Sequence, residues 1–493
     1  MMPARNLPPL RLKGASLRGA LLGLASLTVL AGCTMAPKYQ RPAAPVPQAW
    51  PQGAAYPAPQ PAATPAADLA WKAFFVDPKL QQVIDLALAN NRDLRVAVLN
   101  IAEAHAQYRV QRSALFPNID AAGNGTNEYL PAKVLGVQSG ASGASAANRS
   151  ITIKYYSATL GVSNYELDLW GRVRSLSKQA REEYLATKEA RRAEQISLIS
   201  QVATAYVTYA ADLKRLNLSQ DTVKSDENTL SITNSRFQSG IASELDVRQA
   251  ESALEQAKAG VATYTTAVAQ DVNALTLLVG APVPTELLPA PLENDLPTVA
   301  DLPAGLSSDV LLRRPDVMEA EDELKGYNAN IGAARAAFFP TIELTGSGGS
   351  TALSMSDLFG AGSGAWTFTP AITLPIFDAG KNAANLRYAK AQRDVAVAQY
   401  EKSVQTAFRE VADALAQRGQ IADLVSANER EADAFGHSLN LSQARYERGS
   451  DTFLNVLTAQ VNTYSAQQNL ISARLTRATN LITLYQTLGG GVN

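Results

Sequence analysis

The chain has 493 residues, with 44 Lys plus Arg against 45 Asp plus Glu, a formal charge of −1 that offers no global attraction to nucleic acid or an anionic lipid surface. One cysteine and two histidines, His105 and His437, cannot build a Cys/His zinc centre, a disulfide framework or a redox pair within one chain. No run approaches the ~18 consecutive apolar residues of a spanning helix, so any bilayer crossing must be made another way.

Arg5, Arg11, Lys13 and Arg18 precede the apolar run Ala20 to Ala31, the order of a secretory signal peptide, so residues 1–32 read as an export signal. Leu30, Ala31, Gly32 and Cys33 close the segment in a pattern that resembles a bacterial lipobox. The resemblance implies a lipid on Cys33 and, with Thr34 rather than Asp next to it, sorting to the outer membrane of a Gram-negative envelope. Twelve of the 25 prolines lie in residues 1–65, so 33–70 reads as a lipidated, proline-rich, extended tether without packed elements.

Two sequence repeats follow, 71–300 and 301–493. At an offset of 223 residues Asp93 meets Asp316, Phe116 and Pro117 meet Phe339 and Pro340, and Gly123 and Gly125 meet Gly346 and Gly348. At an offset of 209, Gly171 meets Gly380, Arg236 meets Arg445, Gly240 meets Gly449 and Gly280 meets Gly489. The difference of 14 residues falls between Pro117 and Gly171, where SGASGASAAN, 139–148, reads as an exposed flexible loop. Each repeat therefore reads as helix, two strands, a very long helix, a sharp reversal and a return helix. The first has a linker at 281–300.

Residues 171–280 and 376–493 contain no proline and are rich in Ala, Leu, Gln, Glu and Arg, which favours long helices. Apolar residues recur in steps of three and four at Ile196, Ile199, Val202, Tyr206 and Tyr209, and again at Val397, Tyr400, Val404, Ala407 and Val411. That spacing predicts coiled-coil hairpins over 171–280 and 380–488, with long arms of roughly 100 Å each. Gly240 and Gly449 are the predicted reversal points, since a tight reversal often needs the positive φ that glycine tolerates.

Strands are expected at about 118–129, 153–167, 341–350 and 365–377. In the last, Trp366, Phe368, Pro370 and Ile372 alternate with Thr367, Thr369, Ala371 and Thr373, the period-two pattern of a membrane β-strand. Four strands cannot close a barrel, and an open edge facing lipid leaves backbone groups unpaired at several kcal/mol each. Closure must come from other copies of the chain. The expected fold class is thus mostly α with a membrane β portion.

Residues 71–117, from Trp71 through the run ending in Leu115, Phe116 and Pro117, resemble the N-terminal part of the TolC-type outer-membrane efflux channels, in the lipoprotein subgroup that serves resistance-nodulation-division pumps. CTMAPKYQRPAAPVPQAW at 33–50, RRPDV at 313–317, LPIFDAG at 374–380 and RYERGSDTFLNVLTAQ at 445–460 are similar to that subgroup's other signatures. The resemblance implies a homotrimer with one shared 12-stranded barrel, a periplasmic helical extension, a periplasmic adaptor, an inner-membrane transporter, and drugs or other solutes as cargo. No catalytic group, no cofactor beyond the lipid on Cys33, no metal site and no nucleic-acid partner is expected: the chain has no GxxxxGK[ST] and no HExxH motif.

The resemblance also places a periplasmic gate at the hairpin reversals, with Asp246 on the first hairpin and Tyr446 on the second, and Arg236, Arg445 and Arg448 as available cations. Family members often carry lumenal acids after the second glycine; here Asn455 and Thr458 stand in those places, with Asp451 or Asp246 as the nearest acids. Asp246 has a second reading, as helix N-terminal charge favoured by the macrodipole. The rival functions are the outer-membrane part of a type I protein secretion system and a structural periplasmic coiled-coil lipoprotein.

Overall fold

A computed structural model of the chain describes residues 34–56, 69–131, 150–293, 297–298 and 308–491. The signal segment, Cys33, the loop at 139–148 and parts of the tether and linker lie outside the described residues.

The first repeat holds α1 (Trp71–Phe74), α2 (Pro78–Asn90), α3 (Arg92–Ser113), β1 (Ile119–Leu130), β2 (Ile151–Glu166), α4 (Arg172–Gln238) and α5 (Glu244–Val279). The second holds α6 (Pro315–Ala336), β3 (Thr341–Ala352), β4 (Gly364–Thr373), α7 (Lys381–Glu447) and α8 (Phe453–Thr487). α4 and α7 are each 67 residues long, α3 and α6 each 22, so the repeat seen in the residues is a repeat of elements. β4 ends at Thr373, short of the expected 377. Pro375 has no N–H for a ladder, and Asp378 turns the chain by accepting from the N–H groups of Gly380 and Asn382, both at 2.9 Å.

Two compact units make up the chain, and each draws on both repeats. One contains all four strands with the adjoining helix ends, from 105–183 and 324–395. Its sheet is antiparallel in the order β1-β2-β3-β4, so β1 and β4 are both edges. Paired residues show what shares a face. On one side lie Ala121, Leu160, Val162, Leu344, Ile342, Phe368 and Ile372; on the other lie Asn124, Thr126, Thr159, Ser347, Thr345, Thr367 and Thr369. The apolar face carries large side chains in the open, with Trp366 80%, Phe368 61% and Ile372 72% exposed. A β-bulge interrupts β2 between Val162 and Tyr165, with Asn164 at φ 52°. Upstream of it even-numbered residues face the apolar side; past it Tyr165 takes that side opposite Leu344.

The other unit, from 41–104, 184–323 and 396–493, holds the helical hairpins. Ile196, Ile199, Val202 and Tyr206 of α4 and Tyr400, Val404, Ala407 and Val411 of α7 are buried, as the seam spacing requires. The ring of Phe74 stacks on Tyr485 with centroids 4.0 Å apart, and the Tyr485 hydroxyl donates to Leu69 O at 2.6 Å. Asp77 caps α2 by accepting from Lys79 N at 2.8 Å, and it also receives the buried Tyr206 hydroxyl at 2.8 Å.

Arg314, in the RRPDV run, is buried in this unit. It donates to Asp316 Oδ1 (3.0 Å) and Oδ2 (2.7 Å), to Glu410 Oε2 (2.8 Å) and to the Thr487 carbonyl (2.8 Å), joining the start of α6, the middle of α7 and the end of α8. Truncation leaves two carboxylates and a helix-end carbonyl without their donor. Arg314→Ala is expected to cost about 3–5 kcal/mol of helical-unit stability, read as an earlier thermal loss of the helical circular-dichroism signal. Lysine should restore little, because one ammonium cannot copy the planar fork.

The described tether, 34–56, forms no helix or strand but lies against the body. In the strand-bearing unit, Arg335 donates to Met35 O at 3.0 Å and Asn328 to Pro37 O at 2.8 Å. In the helical unit, Arg41 pairs with the buried Glu321 and Trp50 stacks on Phe408 with centroids 5.0 Å apart. A β-carbon on Gly419 would stand 2.3 Å from Ala55 O, so the strap needs glycine beneath it.

Candidate functional site

The reversals are built alike. Gly240 and Gly449 have φ of +73° and +71°. At the first, the N–H of Gly240 bonds Phe237 O (2.9 Å) and that of Ile241 bonds Arg236 O (2.8 Å); at the second, Gly449 bonds Tyr446 O (2.9 Å) and Ser450 bonds Arg445 O (3.0 Å). This nested pair closes the orphan carbonyls of a helix end and demands a left-handed residue, which is why glycine recurs at this spot. The return helices start differently. Ser243 and Asp246 form a capping box: Asp246 N donates to Ser243 Oγ at 3.1 Å while Ser243 N donates to Asp246 Oδ2 at 2.9 Å. The second return helix has no side-chain cap; ahead of it Asp451 accepts from Thr452 N (2.9 Å) and Asn455 Nδ2 (2.5 Å), with Arg445 Nε 3.4 Å away. Those donors, Asn455 first, hold the Asp451 carboxyl below the usual carboxylate range.

Two of the candidate residues meet across the hairpins. The Arg236 guanidinium lies over the Tyr446 ring, 4.3 Å from its centroid, and donates to Tyr446 O at 3.2 Å. Tyr446 also sits 5.6 Å from the Phe453 ring. The latch therefore joins the end of α4 to the end of α7 within one chain. Among the described residues the Tyr446 hydroxyl has no hydrogen-bond partner, and nothing joins Asp246 to Tyr446. Asn455 is exposed; Thr458, also exposed, returns its hydroxyl to Leu454 O at 2.8 Å. Arg448 is exposed as well. The Ser243-x-x-Asp246 spacing spells the capping box in the sequence; the stacking of Arg236 on Tyr446 has no such local signature.

A second charged cluster lies farther along the first hairpin. Asp271 of α5 faces Asp212, Arg215 and Tyr209 of α4, and Arg215 holds Asp212 at 2.6 Å. Burial, and then the charge of Asp212, push the Asp271 carboxyl up to about 6. A folded-state value above the unfolded one near 4 means the folded chain binds the extra proton, so this group favours folding at low pH and loses that contribution as pH rises through about 6. The residue 209 positions on is Asn480, whose amide donates to Ala414 O and Gln417 Oε1, both at 2.9 Å. Asp271→Asn copies that solution. It is expected to raise the melting temperature of the helical signal above pH 7 and to flatten its slope between about pH 4 and 6; equal pH profiles for variant and parent would contradict the assignment.

The family model described as Outer membrane efflux protein matches residues 83–281 and 306–490. Among known proteins, the probable efflux pump outer membrane protein TtgC of Pseudomonas putida is 49% identical over 473 residues, spanning 96% of this chain and 96% of its own. Outer membrane protein OprJ of Pseudomonas aeruginosa is 41% identical over 478 residues, spanning 96% and 97%. Among solved structures, the open state of the MtrE outer membrane channel of Neisseria gonorrhoeae is 40% identical, with a TM-score of 0.82 over 93% of this chain and 99% of that one.

Proposed function

Since the chain belongs to the outer membrane efflux protein family, we propose that it is the channel of a tripartite efflux pump, a passive trimeric conduit that carries drugs or other solutes out of the cell. The observation that supports this most is the sheet: four strands, apolar on one face and hydroxyl-rich on the other, with both edges open. Lipid would cover the first face and water the second. Three copies would supply 12 strands to one barrel, and the helical hairpins would enclose the periplasmic passage. A passive conduit does no chemistry, so energy for uphill export comes from an inner-membrane transporter of the resistance-nodulation-division class, reached through a periplasmic adaptor. Cys33 carries the lipid that tethers each chain, and no other cofactor is needed.

At the inner end, Arg236 on Tyr446 and the capped start of α5 would hold the aperture closed, with Asp246 and Asp451 as its nearest acids. The relatives point to the cargo class: efflux pump proteins of Pseudomonas putida are named for antibiotics, toluene and solvents. A structural coiled-coil lipoprotein has no use for a sheet with a greasy face. A type I protein secretion channel would share the fold, and the lipobox-like start at Cys33 favours the efflux reading over it.

The test is deletion of the chain in a strain that lacks its other efflux channels, followed by susceptibility to antibiotics and aromatic solvents. Increased susceptibility that the intact gene reverses is the expected result. Unchanged susceptibility to every class would count against export.

A further inference from the structure

In the strand-bearing unit the repeat sets two helix junctions side by side for comparison. Where the helices adjoin the sheet, α6 lies beside α4: a β-carbon on Gly326 would stand 3.5 Å from Gln179 O, and one on Gly332 2.6 Å from Ser175 Oγ. The equivalent pair is α3 and α7. They adjoin β1 and β4, the opposite edges of the sheet, so in a closed ring they meet between neighbouring copies.

The junction inside the chain balances its charges. Arg172 pairs with Glu166, Arg174 with Asp168 (3.1 Å) and Arg181 with Glu182 (3.1 Å). The tether fills the groove beside them. Arg335 and Asn328 hold its carbonyls, and a β-carbon on Gly332 would stand 2.7 Å from Ala36 N, so glycine is what admits it.

The equivalent positions keep the cations and lose what neutralises them. Moving on by 209, Arg172, Lys178 and Arg181 become Lys381, Arg387 and Lys390, whereas Glu166, Asp168, Glu182 and Glu183 become Pro375, Phe377, Ala391 and Gln392. Moving back by 223, Arg335 becomes Arg112 and Gly332 becomes Arg109, a long cation where the other junction makes room for the tether. Arg109, Arg112, Lys381, Arg387 and Lys390 are all exposed, and among the described residues none of them makes an ion pair. Asp378, three residues before Lys381, is taken up by the N–H groups of Gly380 and Asn382. A formal charge of −1 for the whole chain conceals this concentration.

Five cations brought to one junction repel one another unless an anion lies among them. Toward the sheet they are bordered by Phe116, Ile376 and Phe377, the last two 93% and 89% exposed. Greasy side chains next to a basic cluster match a ligand with acyl chains next to a phosphate, and the guanidinium forks of arginine fit phosphate oxygens in pairs. We propose that each junction between copies, Arg109 and Arg112 of one chain with Lys381, Arg387 and Lys390 of the next, binds the headgroup of an anionic phospholipid whose acyl chains lie along Phe116, Ile376 and Phe377. This rests on the channel reading, which supplies the neighbouring copy, and gives that channel a lipid ligand in the periplasmic leaflet.

The test uses the full-length protein purified in a neutral detergent, with the binding of fluorescently labelled phosphatidylglycerol and phosphatidylcholine measured in the same micelles. The parent should bind phosphatidylglycerol the more tightly. Each cation beside an anionic headgroup contributes about fivefold, so Arg109→Gln with Arg112→Gln, and separately Arg387→Gln with Lys390→Gln, should each weaken that binding about 25-fold. Phosphatidylcholine binding should not change, and Lys178→Gln, at the balanced junction, should alter neither. Equal affinities for the two lipids in the parent, or unchanged binding in both double variants, overturns the proposal. So does displacement of the lipid by an equal concentration of inorganic phosphate, which would mark a site for the free anion. Every sample is also run unboiled on a gel. A parent without a stable oligomer fells the channel reading itself, whereas a stable oligomer that does not distinguish the lipids fells this proposal alone. If one double variant loses the oligomer, the other and the parent's preference still decide.

Discussion

Replacing Phe368 by arginine is expected to abolish the stable oligomer, whereas the same change at Thr369, one residue on, leaves it intact. The two positions share a strand and local backbone but point to opposite faces of the sheet. On the lipid side a charge costs about 2–4 kcal/mol at mid-bilayer, and a trimer would incur it three times. On the lumenal side it enters water. Phe368→Arg should therefore lose the heat-modifiable band in unboiled gels and confer the drug susceptibility of a deletion, while Thr369→Arg keeps both. If the two variants behave alike, the sheet does not separate lipid from water.

The second large effect is expected at the hairpin ends. Arg236→Ala removes a cation–π contact 4.3 Å from the ring centre and a hydrogen bond to the Tyr446 carbonyl. Such contacts contribute about 0.5–2 kcal/mol each at partly exposed sites, and three symmetric copies act together. A shift of that size in a gating equilibrium should raise the mean conductance of purified channels in planar bilayers severalfold. Tyr446→Phe keeps the ring and the backbone carbonyl, so as a contact within one chain it should change little. A conductance increase on Tyr446→Phe would show that the hydroxyl bonds a neighbouring copy. If Arg236→Ala conducts like the parent, the latch is not part of the gate. Asp246→Ala should act through its cap, loosening the start of α5 at a cost of about 1 kcal/mol.

Much of this architecture was readable in the residues, for particular reasons. Gly240 and Gly449 announced the reversals because the helix-ending hydrogen bonds there require a positive φ. The register between repeats was readable because the paired elements have equal lengths, 67 residues for each long helix. β4 stood out through strict alternation from Trp366 to Thr373. Other features depend on tertiary partners that local pattern does not encode. The bulge at Asn164 lies three residues past Gly161 in a run that otherwise reads as plain strand, yet it decides which face the residues of β2 beyond it take. The strap at 34–56 looks like free chain by composition, and its seating shows only in distant partners such as Arg335, Glu321 and Phe408. Arg236 could be named as a cation near the reversal, but its stacking on Tyr446 brings together residues from two different hairpins.

The central claim is that one chain supplies an unfinished sheet which identical chains complete. The mass of the detergent-solubilised particle, measured by light scattering with the bound detergent subtracted, tests it most directly. Three chains per particle, converting to single chains only on boiling, is the result predicted here. A particle of one chain that stays soluble and folded after detergent is removed would contradict it.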